Sequence, residues 1–412
     1  MSGGIQKMQN LCKELCNEIE DRDDLTFTKV GEYIGLSKQG MSKFKSDGII
    51  GFRKLLRLSF LLRPDNQREA MEEWCLRLNT VEAIKQSFEY AATTRNIELL
   101  GKLLEKHKDE KGGIAEYISV YSLIYDYMKN KIRGVELIHK LDKSCRLKDG
   151  SLRILTDILK CYGYYFLKKF RTMLDIALDV ERRLKNLSDK RELFMKECFL
   201  HRIAEVLAPA YLHLNNPERA RHYAELIFNG NICAKTVSDA TYILGMSYIL
   251  EDKRKCIDYL TKSYDIAKSI GDVVIETEAR LNLDFAKLYL NIELDDTSDK
   301  LLLNFQDDRD SEINLKAIEE LMYQKGEDDL IILFKATTDS RKENLHECFL
   351  KFFKQDNYFF SGFIAKELKD RGDDSTWAEQ MIQFTINIEE ETHFEKDFIC
   401  SFSSFRSCSG GI

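Results

Sequence analysis

The chain has 412 residues, 44% hydrophobic and 32% charged, with a net charge of −7. That length exceeds one typical core, so two or more folding units or one long repeat array are expected. No stretch reaches the ~18 consecutive apolar residues of a bilayer span, and the first 30 residues are polar and acidic rather than a secretory leader, so a cytoplasmic protein with no membrane partner is expected.

Only three prolines occur, Pro64, Pro209 and Pro217. Proline removes a donor and clashes with the preceding turn, so a chain with so few has room for many uninterrupted helices. Recurrent Leu, Ile, Lys and Glu suit amphipathic helices with one buried stripe and one solvated face. The fold class is therefore read as all-α. The eleven cysteines are scattered, mostly among apolar neighbours (Cys75, Cys161, Cys198, Cys256, Cys348), as small hydrophobes of a reducing compartment are. Cys12 and Cys16 share a helical face, but no CxxC or nearby His completes a zinc set. No metal or cofactor is expected.

Charge is unevenly placed. Between Phe27 and Arg63 lie eight basic residues (Lys29, Lys38, Lys43, Lys45, Arg53, Lys54, Arg57, Arg63) against Glu32 and Asp47, a local +6 that leaves −13 on the rest. A basic patch on an acidic body is the electrostatic footprint of a small DNA-binding module. Within it, FTKVGEYIGLSKQGMSKFK (27–45) predicts a helix-turn-helix. Val30, Ile34, Met41 and Phe44 are the inward positions of two crossing helices. Gly31 marks their closest approach, Gly35 the turn, and Ser37 the N-cap of the second helix. Thr28 and Lys29, at the start of the first helix, are placed for phosphate contacts. Ser37, Lys38, Gln39, Ser42 and Lys43 lie on the free face of the second, followed by Lys45. Gln can read an adenine edge bidentately, and Lys reaches guanine or phosphate. A double-stranded DNA operator is the expected partner of residues 1–50, with linker helices over 51–106.

From Leu55 onward amphipathic segments follow one another, broken by Lys111-Gly112-Gly113 and Asp149-Gly150. Over 202–272 a unit recurs. Leu207-Ala208-x-x-Tyr211, Asn215-Asn216-Pro217, Ala220 and Ala224 are echoed by Leu244-Gly245-x-x-Tyr248, Glu251-Asp252-Lys253, Cys256 and Leu260. Tyr211 to Tyr248 is 37 positions and Ala220 to Cys256 is 36, near the ~34 of a tetratricopeptide repeat. Tyr162-Gly163-x-x-Phe166 with Ala177 is a weaker earlier unit. A tetratricopeptide-like right-handed solenoid over 107–384 is expected, of the kind whose inner surface binds extended peptides or helices. There is no GxGxxG, P-loop or HExxH, and an enzyme is not expected.

A helix-turn-helix joined to such repeats resembles the quorum-sensing peptide receptors of Gram-positive bacteria. More narrowly, Arg63-Pro64-Asp65, Met71, Trp74-Cys75-Leu76-x-Leu78 and Ser87-x-Glu89-Tyr90-Ala91 look like the linker region of the arbitrium receptors (AimR) of temperate Bacillus phages. The resemblance implies a homodimeric DNA-binding activator in the cytoplasm of a bacterial host. A short imported communication peptide would bind its solenoid and switch DNA binding, and with it the lysis–lysogeny decision. It implies peptide contacts at Arg202 and Lys235, with Asp239 close by, at Asn282, beside Asp284, and at the pair Asp356-Asn357, while Ala210 stands where the family has an asparagine. It also implies dimerisation through a C-terminal helix near 375–384, followed by a Ser- and Phe-rich tail over 385–412 to which no role is assigned. A helical-repeat adaptor that binds and inhibits a host protein is the competing expectation.

Overall fold

The computed structural model describes residues 3–143, 147–188, 192–307, 312–325, 328–338, 342–373 and 376–386. Among them every regular element is an α-helix: α1 (Gly3–Glu20), α2 (Phe27–Ile34), α3 (Lys38–Asp47), α4 (Phe52–Leu62), α5 (Gln67–Arg77), α6 (Val81–Thr93), α7 (Ile97–His107), α8 (Gly113–Met128), α9 (Gly134–Lys143), α10 (Gly150–Phe166) and α11 (Phe170–Leu184). There follow α12 (Leu193–His213), α13 (Pro217–Gly230), α14 (Ala234–Ser247), α15 (Lys253–Ile270), α16 (Val273–Tyr289), α17 (Lys300–Asp307), α18 (Glu312–Lys325), α19 (Asp329–Thr338), α20 (Lys342–Lys354), α21 (Tyr358–Asp370) and α22 (Thr376–Ile382). None of the described helices is long and apolar enough to cross a membrane. The expected tail lies, from 387 onward, outside the described residues, as does Ser375 before α22.

One turn geometry recurs along the chain. Helix after helix ends on a residue in the left-handed region, and the next amide reaches back five residues to a helical carbonyl. Arg95, Asn130, Lys168, Asn215, Asn291 and Asp356 all have φ between 53° and 60°. Their followers close bonds of 2.8–3.0 Å: Asn96 to Ala91, Lys131 to Asp126, Lys169 to Tyr164, Asn216 to Tyr211, Ile292 to Lys287 and Asn357 to Phe352. This Schellman closure satisfies carbonyls that the helix end would otherwise leave unpaired. At Arg95 and Lys168 it offsets the ~1–2 kcal/mol that a side chain costs in that region. Three of the followers also cap the next helix through their side chains: Asn96 accepts from Leu99 N, Asn216 from Arg219 N and Asn357 from Phe360 N. Arg95 to Asn130 is 35 positions and Asn130 to Lys168 is 38. The helical-hairpin spacing thus begins at α6–α7, well before the stretch whose sequence shows it.

The chain forms two compact units: among the described residues the first holds those up to 159 together with 182–200, and the second those of 160–181 together with 201–386. In the first, Phe52 packs on Phe194 (4.7 Å between ring centroids) and Tyr90 (6.0 Å). Glu89, fully buried, accepts hydrogen bonds from Thr93 Oγ1 at 2.7 Å and from the Tyr121 hydroxyl. A buried carboxylate without such donors would be strongly unfavourable.

The second unit is a stack of helical hairpins. Across α14 and α15, a β-carbon at Gly245 would lie 2.7 Å from Leu260 Cγ and 3.1 Å from Cys256 O, so the hydrogen of glycine is what lets these two helices touch. Tyr211 stacks on Tyr223 at 5.7 Å, and Tyr248, one repeat on, stacks on Tyr259 at 6.0 Å. Asn216 and Asp252, 36 positions apart, N-cap α13 and α15. In the stretch 202–272 the aromatic pair and the N-cap each recur at the repeat spacing in equivalent roles.

Candidate functional site

The helix-turn-helix region is built from local rules. Thr26 caps α2 by accepting from Lys29 N at 3.2 Å, and Ser37 caps α3 by accepting from Gly40 N at 3.1 Å. Between them Gly35 sits at φ 71°, ψ 38°, and Leu36 N bonds to Gly31 O at 2.7 Å, the same closure seen at the later helix ends. A β-carbon at Gly31 would be 3.3 Å from both Leu36 O and Met41 Cε, which fits its place at the crossing. Val30, Ile34, Met41 and Phe44 are buried. Each such side chain contributes roughly 1.5–3 kcal/mol by leaving water.

All eight candidate contact residues, Thr28, Lys29, Ser37, Lys38, Gln39, Ser42, Lys43 and Lys45, are exposed. Lys38, Gln39, Ser42 and Lys43 share the α3 face opposite Met41 and Phe44. Lys45 is set apart from them: its ammonium lies 3.2 Å from Glu20 and 3.8 Å from the centre of the Phe27 ring, which directs it toward the end of α1.

Helix α1 braces this hairpin, a role the sequence pattern did not reveal. Cys12 Sγ donates to Gly48 O, the C-cap of α3, at 3.1 Å, and burial, with Cys16 beside it, pushes the Cys12 thiol up to about 11. Glu18 pairs with Arg63 and Glu14 with Arg77, the latter at 2.7 Å. The i, i+4 spacing of Cys12 and Cys16, with Leu11, Leu15 and Ile19 alongside, is the sequence signal that marks this buried face.

The six candidate ligand residues of the second unit fall into different environments. Lys235 and Asp239, one turn apart on α14, are exposed and paired with each other at 2.7 Å. Asn282 on α16 is half-buried. Its neighbour Asp284 is fully buried, accepting from Arg280 Nε and Ser298 Oγ at 3.1 Å each; burial raises its carboxyl while those partners pull it down. Arg202, on α12, has no exposed surface. Asp356 occupies a left-handed turn, half-buried, and accepts from the Tyr358 hydroxyl at 2.9 Å. Asn357 is wholly buried and spends its side chain inside the unit. Its Oδ1 faces Phe360 N (3.4 Å) and His213 Nδ1 (3.1 Å), and its Nδ2 donates to Asp329 (2.9 Å).

Two further features belong to the second unit. Tyr242 follows Asp239 along α14, and its hydroxyl is held well above the usual phenol range by burial and then by Asp328, Tyr165 and Asp329. A cleft of about 440 Å³ opens among residues 249–253, 289–291, 334–338 and 366–370, where α16, α19 and α21 end. None of the six candidates lines it. Among the described residues, no group of three or more His, Cys, Asp or Glu could hold a metal ion.

Comparison with known proteins gives this geometry a context. An uncharacterized protein of Bacillus anthracis, pXO2-35, is 26% identical over 141 residues, covering 32% of this chain and 51% of that protein; the chain thus spans about half the length of the curated relative it matches. A solved structure of SeMet-phAimR superposes with a TM-score of 0.64 at 19% identity, covering 91% of this chain and 99% of that one. A structure of phAimR-Ligand does so with a TM-score of 0.66 at 21% identity, covering 79% of this chain and 98% of that one. These likenesses show the fold, an all-α chain of solenoid-like helical repeats. The family model for AimR transcriptional regulator-like proteins matches residues 67–370, and the chain belongs to that family.

Proposed function

We propose that this chain is a peptide-responsive, DNA-binding transcriptional regulator of the arbitrium-receptor type. In this reading residues 1–50 bind a double-stranded DNA operator, 51–106 link, and 107–384 bind a short imported peptide and form a homodimer in the cytoplasm of a bacterial host. The peptide switches DNA binding and so biases the lysis–lysogeny decision. The observation that carries the reading is the α3 face. Lys38, Gln39, Ser42 and Lys43 stand exposed on a helix fixed from behind by buried Met41 and Phe44 and from its start by the Ser37 cap. Preorganised donors on a short helix suit major-groove readout. Membership of a transcriptional regulator-like family supports the reading, and one structural relative is named with a ligand.

For the peptide, the exposed Lys235–Asp239 pair, Asn282 and Asp356 are the better-placed candidates. Arg202 and Asn357 act through the packing of the unit. A ligand shifts DNA binding only by favouring one conformational state over another, so the peptide must bind the DNA-competent and DNA-free states unequally.

The test is a gel-shift titration on DNA from around the chain's own gene, with and without short peptides encoded beside it. Specific binding that one peptide relieves supports the reading. Absence of specific binding at low salt, with capture of a host protein instead, supports the helical-repeat adaptor.

A further inference from the structure

Helix α4 buries Phe52, Leu55, Leu56, Leu58, Ser59 and Leu62 and turns Arg53, Lys54 and Arg57 away from that stripe. These three cations do different things. Arg53 is committed within its own unit, its guanidinium 3.1 Å from the buried carboxylate of Glu197. Lys54 and Arg57 stand at i, i+3, a spacing that sets like charges side by side and works against the helix. Among the described residues no carboxylate pairs with Lys54, and burial, then Arg57 and Arg53, loosen the hold on its proton.

Arg57 reaches the turn between α2 and α3. Its Nη1 lies 3.4 Å from where a β-carbon on Gly35 would stand. The guanidinium is therefore held two residues from the Ser37 cap, next to the start of the helix that carries Lys38 and Gln39. A crowded pair of cations at the edge of an exposed basic helix fits a regularly spaced polyanion, whose charges remove the mutual repulsion.

We infer that Lys54 and Arg57 form a backbone-phosphate contact that sets the register of α3 on duplex DNA. The inference rests on the DNA-binding reading above and extends the interface from the helix-turn-helix to a third helix. Contacts of this kind position the protein and carry no base information. They weaken all sequences alike and appear in the salt dependence.

The experiment uses the full-length protein and two duplexes of equal length, one from around its own gene and one with that sequence scrambled. Fluorescence anisotropy is recorded across roughly 50–300 mM salt. Lys54→Ala/Arg57→Ala is expected to reduce the slope of log K against log salt by about 1.8, two phosphates' worth, and to weaken both duplexes by the same factor. Lys54→Gln/Arg57→Gln keeps the aliphatic stems and is expected to give the same slope change, so the result does not depend on the alanine variant folding. Lys54→Arg/Arg57→Lys is expected to keep the wild-type slope. Unchanged slope and affinity in the glutamine variant overturn the inference while the DNA reading stands. Loss confined to the own-gene duplex also overturns it, since that would be base readout. Wild-type protein that binds neither duplex removes the DNA reading itself.

Discussion

His213 and Asn357, 144 positions apart, share a 3.1 Å hydrogen bond inside the second unit. The orientation of the Asn357 amide follows from its other partners. Its Nδ2 donates to Asp329, so Oδ1 is the atom that faces Phe360 N and His213, and the imidazole must carry its proton on Nδ1. Phe170 stacks on the same ring at 3.9 Å between centroids, and Asp329 in turn receives Lys168 at 2.5 Å. Helix α12 is thereby joined to α19 and α21 through buried His213 and Asn357 and the partly buried Asp329.

Asn357→Ala should therefore act on stability before it acts on any ligand. The change removes an N-cap and leaves His213 and Asp329 each short of a partner, a loss of roughly 2–4 kcal/mol. Urea denaturation should show a lower midpoint with unchanged m-value. An unchanged midpoint together with weakened peptide binding would assign Asn357 to the ligand after all.

The same ring predicts a pH dependence. Burial, first among its causes, lowers the pKa of His213 below that of a free histidine, so the folded state takes up the proton later than the unfolded one as pH falls. Above the unfolded pKa, near 6.5, the imidazole is neutral in both states and contributes no slope. Below it the unfolded chain binds the extra proton, so stability declines toward the folded pKa and then levels off. His213→Phe retains a ring against Phe170 and should flatten that part of the profile. Thermal melts of both proteins from about pH 7 to pH 5 measure the difference, which also cancels the similar downward shift of His107.

How much of this was legible in the sequence depends on how local each feature is. The helix-turn-helix was, because Gly35, Ser37 and the apolar spacing of Val30, Ile34, Met41 and Phe44 settle it within twenty residues. The hairpins at α6–α7 and α8–α9 were not. The first turn places Arg95 where glycine or asparagine usually stands, and the single Asn130 at the second is too weak a mark to set a repeat by itself. The polar residues of the second unit were least legible. Exposed Lys235 and buried Asn357 look alike in a helical pattern, and only packing distinguishes a solvated face from a cap that a histidine 144 positions away completes. Helix α1 was hidden for the same reason, since the partners of Cys12, Glu14 and Glu18 are 36 to 63 positions downstream.

Gly245→Ala tests the hairpin packing. On propensity alone the change should favour the helix by up to ~1 kcal/mol. The new methyl, however, would fall 2.7 and 2.9 Å from two carbons of Leu260 and 3.1 Å from the Cys256 carbonyl. Backbone on one side and a fully buried leucine on the other leave little room, and overpacking of this kind costs about 1–3 kcal/mol. A lower denaturation midpoint is expected, with the effect reduced in a Leu260→Ala background because the two positions are in contact. A raised midpoint for Gly245→Ala alone would mean that α14 and α15 are not in register as described.

Ser37 separates folding from DNA contact at a single position. Its hydroxyl caps α3 by accepting from Gly40 N at 3.1 Å, and the residue is exposed at the start of the helix that carries Lys38 and Gln39. Ser37→Ala removes the cap and should cost about 1 kcal/mol, with DNA affinity falling only as far as the helix end frays. Ser37→Asp keeps a capping oxygen and places a negative charge where the helix dipole favours it, so stability should match or exceed the wild type. The same charge would face the phosphates of a bound duplex and oppose it. Melting temperature and duplex affinity, measured on both variants, should therefore move in opposite directions for aspartate and in the same direction for alanine. If Ser37→Asp binds the duplex as tightly as the wild type, the start of α3 does not approach nucleic acid, whatever the rest of the helix does.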